Sequence, residues 1–216
     1  MTFDPLFFTF LTSAALIIVT PGAATAVVIR NAIAGGHRAA LATAAGIAAA
    51  NASWALVCCV ALSLVVSQLP LALLVLKWIG GVYLALLGFQ SLWQALTTRP
   101  DGADRTIAPG PGIRLTRAEW STYSVQGAVT NLVNPAIVVF YVSYLPQFIR
   151  ANQSFVARYL LLAGIHITMA FACHNMYGFT VGGFATAMSR PRVKQAMQVV
   201  TGAALFALGV NLLRHP

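Results

Sequence analysis

The chain has 216 residues, of which 59% are hydrophobic and only 8% charged, with a net charge of +9. Soluble domains carry about a quarter charged residues, so this composition excludes a soluble globular protein and points to an integral membrane protein. The basic residues are spread among loops, without a basic run or an aromatic-interleaved face, which excludes nucleic acid as a partner.

The first apolar run covers residues 4–29 and exceeds the ~20 residues that cross hydrocarbon. Its leader, Met1-Thr2-Phe3-Asp4, has no basic residue, and the run outlasts a signal peptide's apolar core, so it is expected to be retained. Thr20-Pro21-Gly22 interrupts it near the middle. A proline inside a membrane helix frees a backbone carbonyl, and such a break persists only where protein or a polar cavity surrounds it. A loop containing Arg30, Gly35-Gly36-His37 and Arg38 leads to the second run, residues 39–67. There Ala42, Gly46, Ala50 and Ser53 recur at a spacing that lets helix backbones approach closely. The third run, 70–96, repeats this with Gly81, Ala85 and Gly88. Residues 97–120 are hydrophilic, rich in Pro, Gly and both charge signs, and read as a linker. The fourth run, 121–149, contains a second break, Asn131-Leu132-Val133-Asn134-Pro135. Runs at 155–188 and 195–213 complete the chain.

The expected fold is all-α: one membrane domain over residues 1–216, with six spanning helices of which the first and fourth are broken. Arg30, Arg38, Arg99, Arg105, Arg114, Arg117, Arg190, Arg192 and Lys194 fall on one side, against Lys77, Arg150, Arg158 and Arg214 on the other. The positive-inside rule puts the richer side in the cytoplasm and both termini outside. Residues 81–92 and 202–213 share two glycines, a carboxamide and a final leucine at equal spacing, and Ala45-Gly46-Ile47 matches Ala163-Gly164-Ile165. With Pro21 and Pro135, these are three correspondences in chain order. They divide the protein into repeats at 3–96 and 121–214, which enter the membrane from opposite sides and are therefore inverted.

Little in these runs could perform catalysis. Asp4 lies at the rim and Asp101, Asp104 and Glu119 lie in the linker, so no carboxylate pair or carboxylate metal cage is expected within the bilayer. No catalytic site, metal site or cofactor is expected. His166 and His174 are eight residues apart, a little over two turns, and can share a helix face. They are candidates for proton coupling, with a packing role as the alternative. Cys58, Cys59 and Cys173 lack a redox spacing and read as small apolar side chains. The remaining polarity is neutral: Thr20, Thr25, Asn51, Ser53, Gln126, Thr130, Asn131 and Asn134. Each could equally serve as an interhelical hydrogen bond. A broken helix also offers free N–H and C=O ends, which suit the two charges of a zwitterion. The absence of a buried acid from the runs favours a neutral substrate over lysine or arginine.

Thr20-Pro21-Gly22, the Arg30 and Gly35-Gly36-His37-Arg38 loop, and Leu76 to Leu84 with its Lys77-Trp78-Ile79-Gly80-Gly81 core form an ordered series. It continues through Gly127, Asn131, Asn134 and Pro135 to Leu145-Pro146-Gln147-Phe148. In these motifs nearly the whole chain resembles the LysE/RhtB family of small bacterial amino-acid exporters. The resemblance implies a six-helix inverted-repeat protein of the bacterial inner membrane that expels amino acids or related metabolites, coupled to the proton gradient. It carries Pro21, Gly22, Asn131, Asn134 and Pro135 over as site residues, to which Thr20, Thr25 and Asn51 are added from their polarity near the breaks. Ala23, Ala24 and Ala136 stand where the family usually has Pro, then Asn, Asp or Gln, and Lys, and are expected only as pocket wall. The expected partners are a small-molecule substrate, membrane lipid and a second copy of the chain. Two other readings are an intramembrane thiol-redox carrier and a membrane scaffold that moves nothing.

Overall fold

A computed structural model describes residues 5–20, 22–68, 72–97, 115–150, 152–180 and 190–214. Among these the fold is all-helical: α1 Pro5–Val19, α2 Ala23–Gln68, α3 Ala72–Thr97, α4 Arg117–Leu132, α5 Pro135–Val139, α6 Phe155–Phe179 and α7 Pro191–Arg214. After α5 the chain continues through a π-helical stretch, Phe140–Tyr144, into a 3-10 turn, Leu145–Phe148.

Both expected breaks are present in the helical pattern. α1 stops at Val19 and α2 begins at Ala23, while Pro21 itself lies outside the described residues. α4 and the segment Pro135–Phe148 meet at an angle of 62°. The connection expected around residues 30–38 is shorter than its composition suggests. Helix continues through Arg30 and Asn31, and only Gly36 departs from it, at φ 71°, ψ −168°. That conformation is essentially confined to glycine, so a single residue turns the chain where a loop was expected. The fifth run was expected to reach residue 188; α6 ends at Phe179, and residues 181–189 lie outside the described set.

Three described helices are long and apolar enough to cross a membrane, Ala23–Val65, Trp78–Thr97 and Phe155–Phe179, and the bent pair of α4 with Pro135–Phe148 makes a fourth if counted as one span. α3 leaves Val75, Ile79, Val82, Leu86, Phe89 and Trp93 exposed, one each turn along a single face. Such a stripe would be unfavourable in water and is ordinary against lipid.

α2 packs against α4 and α6, and α3 packs along α7. Close backbone approach carries both arrangements. At the α2–α4 crossing, a Cβ on Gly46 would strike the Ser124 carbonyl and one on Gly127 would strike the Thr43 carbonyl. At the α3–α7 crossing the contacts are reciprocal. A Cβ on Gly88 would lie 2.6 Å from the Gly202 carbonyl, and one on Gly209 would lie 2.6 Å from the Gly81 carbonyl. Likewise Gly81 faces Leu213 while Gly202 faces Leu92. Gly164, the counterpart of Gly46, has nothing within 4 Å.

Candidate functional site

A helix end exposes carbonyls that have lost their intrahelical donors. At the end of α1 three of these, on Leu16, Ile18 and Val19, find donors. The Thr20 amide and hydroxyl both donate to the Leu16 carbonyl, at 3.2 and 2.7 Å. From α6, the Cys173 thiol lies 3.9 Å from the Ile18 carbonyl and the Tyr177 hydroxyl donates to the Val19 carbonyl at 2.8 Å. The Thr20 hydroxyl also shares a 2.5 Å hydrogen bond with that of Thr201 on α7. Gly22 faces open space, and Thr25 is buried in the first turn of α2.

The second break is built by the same rules. Asn134 caps α5, its side-chain oxygen accepting from the Ala136 amide at 3.1 Å, and Pro135 follows at a position where a missing N–H is harmless. The Trp54 indole donates to the freed Leu132 carbonyl at 3.3 Å. Asn131 is buried and donates to Asn51 at 2.8 Å and to the Ile47 carbonyl at 3.4 Å. Asn51 and Asn131 are thus brought together. Thr20 belongs to a separate group, with no hydrogen bond between the two groups among the described residues.

Two side-chain clasps tie the broken helices to each other. Before the first break and after the second, the Ser13 and Tyr144 hydroxyls are 2.5 Å apart, and Phe10 stacks edgewise on Phe148 with ring centres 5.3 Å apart. On the other side of both breaks, Gln126 on α4 accepts from Arg30 at 2.9 Å and from Asn31 at 3.1 Å. Asn31 also donates to Thr43 at 2.8 Å. Neither Asn31 nor Ser13 stood out in the sequence, since only their partners across the bundle distinguish them from other small polar residues.

On the Ser13 side of both breaks, bordered by Tyr144 of that clasp, lies a cavity of about 90 Å³. Ile17, Leu84, Leu87, Ile137, Phe140 and Leu205 give it an apolar wall, to which Ala136 contributes as expected of a pocket-wall residue. Gly80, Tyr83, Ser143, Tyr144 and His166 also border it. Predominantly apolar walls with a few polar groups are the usual make of a small-molecule site. His166 and His174 are both buried on one face of α6, but only His166 reaches the cavity. Its Nδ1 lies 3.1 Å from the Tyr141 hydroxyl. The three cysteines are free and buried; Cys58 and Cys59 pack in one core cluster and Cys173 in another. No group of three metal-binding side chains occurs among the described residues.

Apolar helices of membrane-spanning length, two breaks at which neighbouring side chains donate to freed carbonyls, and a small cavity beside them define a membrane transport protein. The LysE type translocator model matches residues 15–215, and the chain belongs to that family. Over 214 residues it is 28% identical to the homoserine/homoserine lactone efflux protein of Salmonella typhimurium, covering 98% of this chain and 97% of the relative. The leucine efflux protein of Klebsiella pneumoniae is 26% identical over 190 residues, 88% of this chain and 85% of the relative. An uncharacterized membrane protein of Bacillus subtilis, YrhP, is 25% identical over 201 residues, 92% of this chain and 93% of the relative. No solved structure gives a significant match.

Proposed function

We propose that this protein is a secondary active exporter of neutral amino acids or related small zwitterions, working by alternating access across the bacterial inner membrane. The observation that carries this reading is a cavity beside the two breaks together with two clasps, one bordering it and one beyond the breaks, each joining one half of the first broken helix to one half of the second. Opening one clasp while the other stays shut would admit substrate from one side at a time. Relatives named for leucine and homoserine efflux support the substrate class and the direction.

The proposal includes six spans. α1 with residues 23–35 forms the first, residues 37–68 the second, α3 the third, α4 with Pro135–Phe148 the fourth, α6 the fifth and α7 the sixth. The reciprocal glycine contacts between α3 and α7 are those expected of a pseudo-two-fold axis relating inverted repeats at 3–96 and 121–214. Loop charge orients the Arg30 clasp toward the cytoplasm, together with the linker at 97–120, and the Ser13 clasp outward, with both termini outside. The exposed face of α3 is read as lipid-facing, and a homodimer would have to use an apolar face of this kind. In this scheme Thr20, Pro21, Gly22, Thr25, Asn51, Asn131, Asn134 and Pro135 hold the breaks beside the substrate, and His166 is better placed than His174 to take part in coupling. A thiol relay draws less support, because Cys173 packs in a different cluster from Cys58 and Cys59.

The test is transport by purified protein in liposomes, screened over a panel of radiolabelled amino acids with and without an imposed proton gradient. Movement of a neutral amino acid, accelerated by the gradient, is the expected result. A protein that moves none of the panel under either condition would be the non-transporting scaffold instead.

A further inference from the structure

We infer that Gln147, which lies behind Gly80 and Ser143 at the cavity wall, reads with Ser143 the charged ends of the transported amino acid once the wall parts, while the aliphatic lining of the cavity takes its side chain. This rests on the export reading and assigns the recognition groups within it. Gln147 is 6% exposed, yet neither its Nε2 nor its Oε1 has a hydrogen-bond partner. Buried carboxamides are almost always bonded, so an orphaned one calls for an explanation. Packing supplies none. Its amide nitrogen presses on Gly80, where a Cβ would collide with it; Gly80 and Ser143 border the cavity, and Gln147 lies directly behind them without lining it. Ser143 is buried as well, and its hydroxyl makes no hydrogen bond among the described residues.

The other buried polar groups near the cavity are committed. Tyr144 is bonded to Ser13, His166 to Tyr141, Asn131 to Asn51, and Asn134 to the start of α5. Besides the half-buried Tyr83 at the cavity edge, what remains is a glutamine and a serine on the π and 3-10 stretches that follow α5. Departures from regular α-helix of this kind recur at functional sites, because they turn side chains away from the direction a regular helix would give. A carboxamide has an N–H that donates to a carboxylate and a C=O that accepts from an ammonium. It can therefore meet both ends of a zwitterion without bringing a net charge into the membrane. Ser143 can supply a further donor or acceptor. The substrate class is thus an amino acid with both backbone charges and an uncharged aliphatic side chain.

The experiment uses full-length protein in liposomes loaded with leucine. Gln147→Met keeps volume and removes both polar atoms. It is expected to lower labelled-leucine counterflow at least tenfold, with KM raised, while Tm equals or exceeds that of the wild type because an orphaned amide has been removed. Ser143→Ala is expected to raise KM less, again without loss of Tm. For wild type, isoamylamine and 4-methylpentanoate, each keeping the side chain and one charged end, are expected to compete at least tenfold less well than leucine. The inference is overturned if wild type transports leucine and Gln147→Met does so with unchanged KM, or if that variant lowers Tm by several degrees. Equal competition by either single-charge analogue also overturns it. Wild type that moves no amino acid removes the export reading itself, which is a distinct result.

Discussion

The Val19 carbonyl has no helical partner because α1 stops there and the Ala23 amide opens the next helix. Tyr177 supplies the missing donor from α6, and Trp54 does the same for Leu132 from α2. Each break is therefore mended by a ring donor from another span, as hydrocarbon demands. Tyr177→Phe leaves the ring in place and strips the donor. It should cost about 1–3 kcal/mol, the usual penalty for an orphaned buried acceptor, seen as a lower midpoint in thermal unfolding in detergent. Asn131→Ala should cost a similar amount, about 1–3 kcal/mol, because it leaves Asn51 without its donor as well as emptying space. These residues also show what could be read from one-dimensional information. Asn51 and Asn131 were recognisable because amides are conspicuous in apolar helices. Tyr177 and Ser143 were not, since an aromatic or a small polar residue becomes informative only when its partner, or the lack of one, is known; Gln147 stood in a motif, but its missing partners were not legible there.

At the scale of elements, Gly46 and Gly164 occupy equivalent places in the sequence pattern and have opposite surroundings. Gly46 lies under the Ser124 carbonyl, whereas Gly164 opens onto space. Gly46→Ala must push α4 away from α2 and should cost on the order of 1–3 kcal/mol, as overpacking does. Gly164→Ala should be neutral or slightly stabilising, since alanine favours helix over glycine by about 1 kcal/mol. Thermal unfolding of the two variants side by side separates these outcomes. Gly36 makes a different prediction, because its constraint is backbone conformation: Gly36→Ala should cost about 1–3 kcal/mol through strain alone. The breaks and the long apolar helices were legible from proline and hydropathy. The single-residue turn at Gly36 was not, because arginine, histidine and paired glycines look alike whether they form a loop or a kinked helix.

For the whole molecule, the two clasps make a transport prediction that does not depend on stability. In a background where Cys58, Cys59 and Cys173 are replaced by Ala or Ser, a Ser13→Cys and Tyr144→Cys pair should be bridged by a bifunctional methanethiosulfonate reagent, whose spacer replaces the length of the tyrosine ring. Counterflow should then stop, and reduction should restore it. Continued transport by the cross-linked protein would show that this contact does not need to open. Family membership and the helical class could be read from the chain because short motifs in fixed order extend over most of its length. The cavity could not, since its lining comes from α1, α3, α5 with the π-helical stretch after it, α6 and α7, and no local pattern records their convergence.

The crossing of α3 on α7 has a consequence for how damage accumulates. Gly81, Gly88, Gly202 and Gly209 do not make four independent contacts; they hold one gap between two backbones. Once an alanine at any one of them has forced the helices apart, an alanine at the facing position enters space already opened. Losses from the Gly88→Ala and Gly202→Ala pair should therefore fall short of the sum of the single losses, an interaction energy of about 0.5–3 kcal/mol measurable by a double-mutant cycle. Pairing Gly88→Ala with Gly46→Ala, at a different crossing, should instead be close to additive. A repeated sequence feature thus behaves energetically as a single shared joint, with its fragility set by the first substitution.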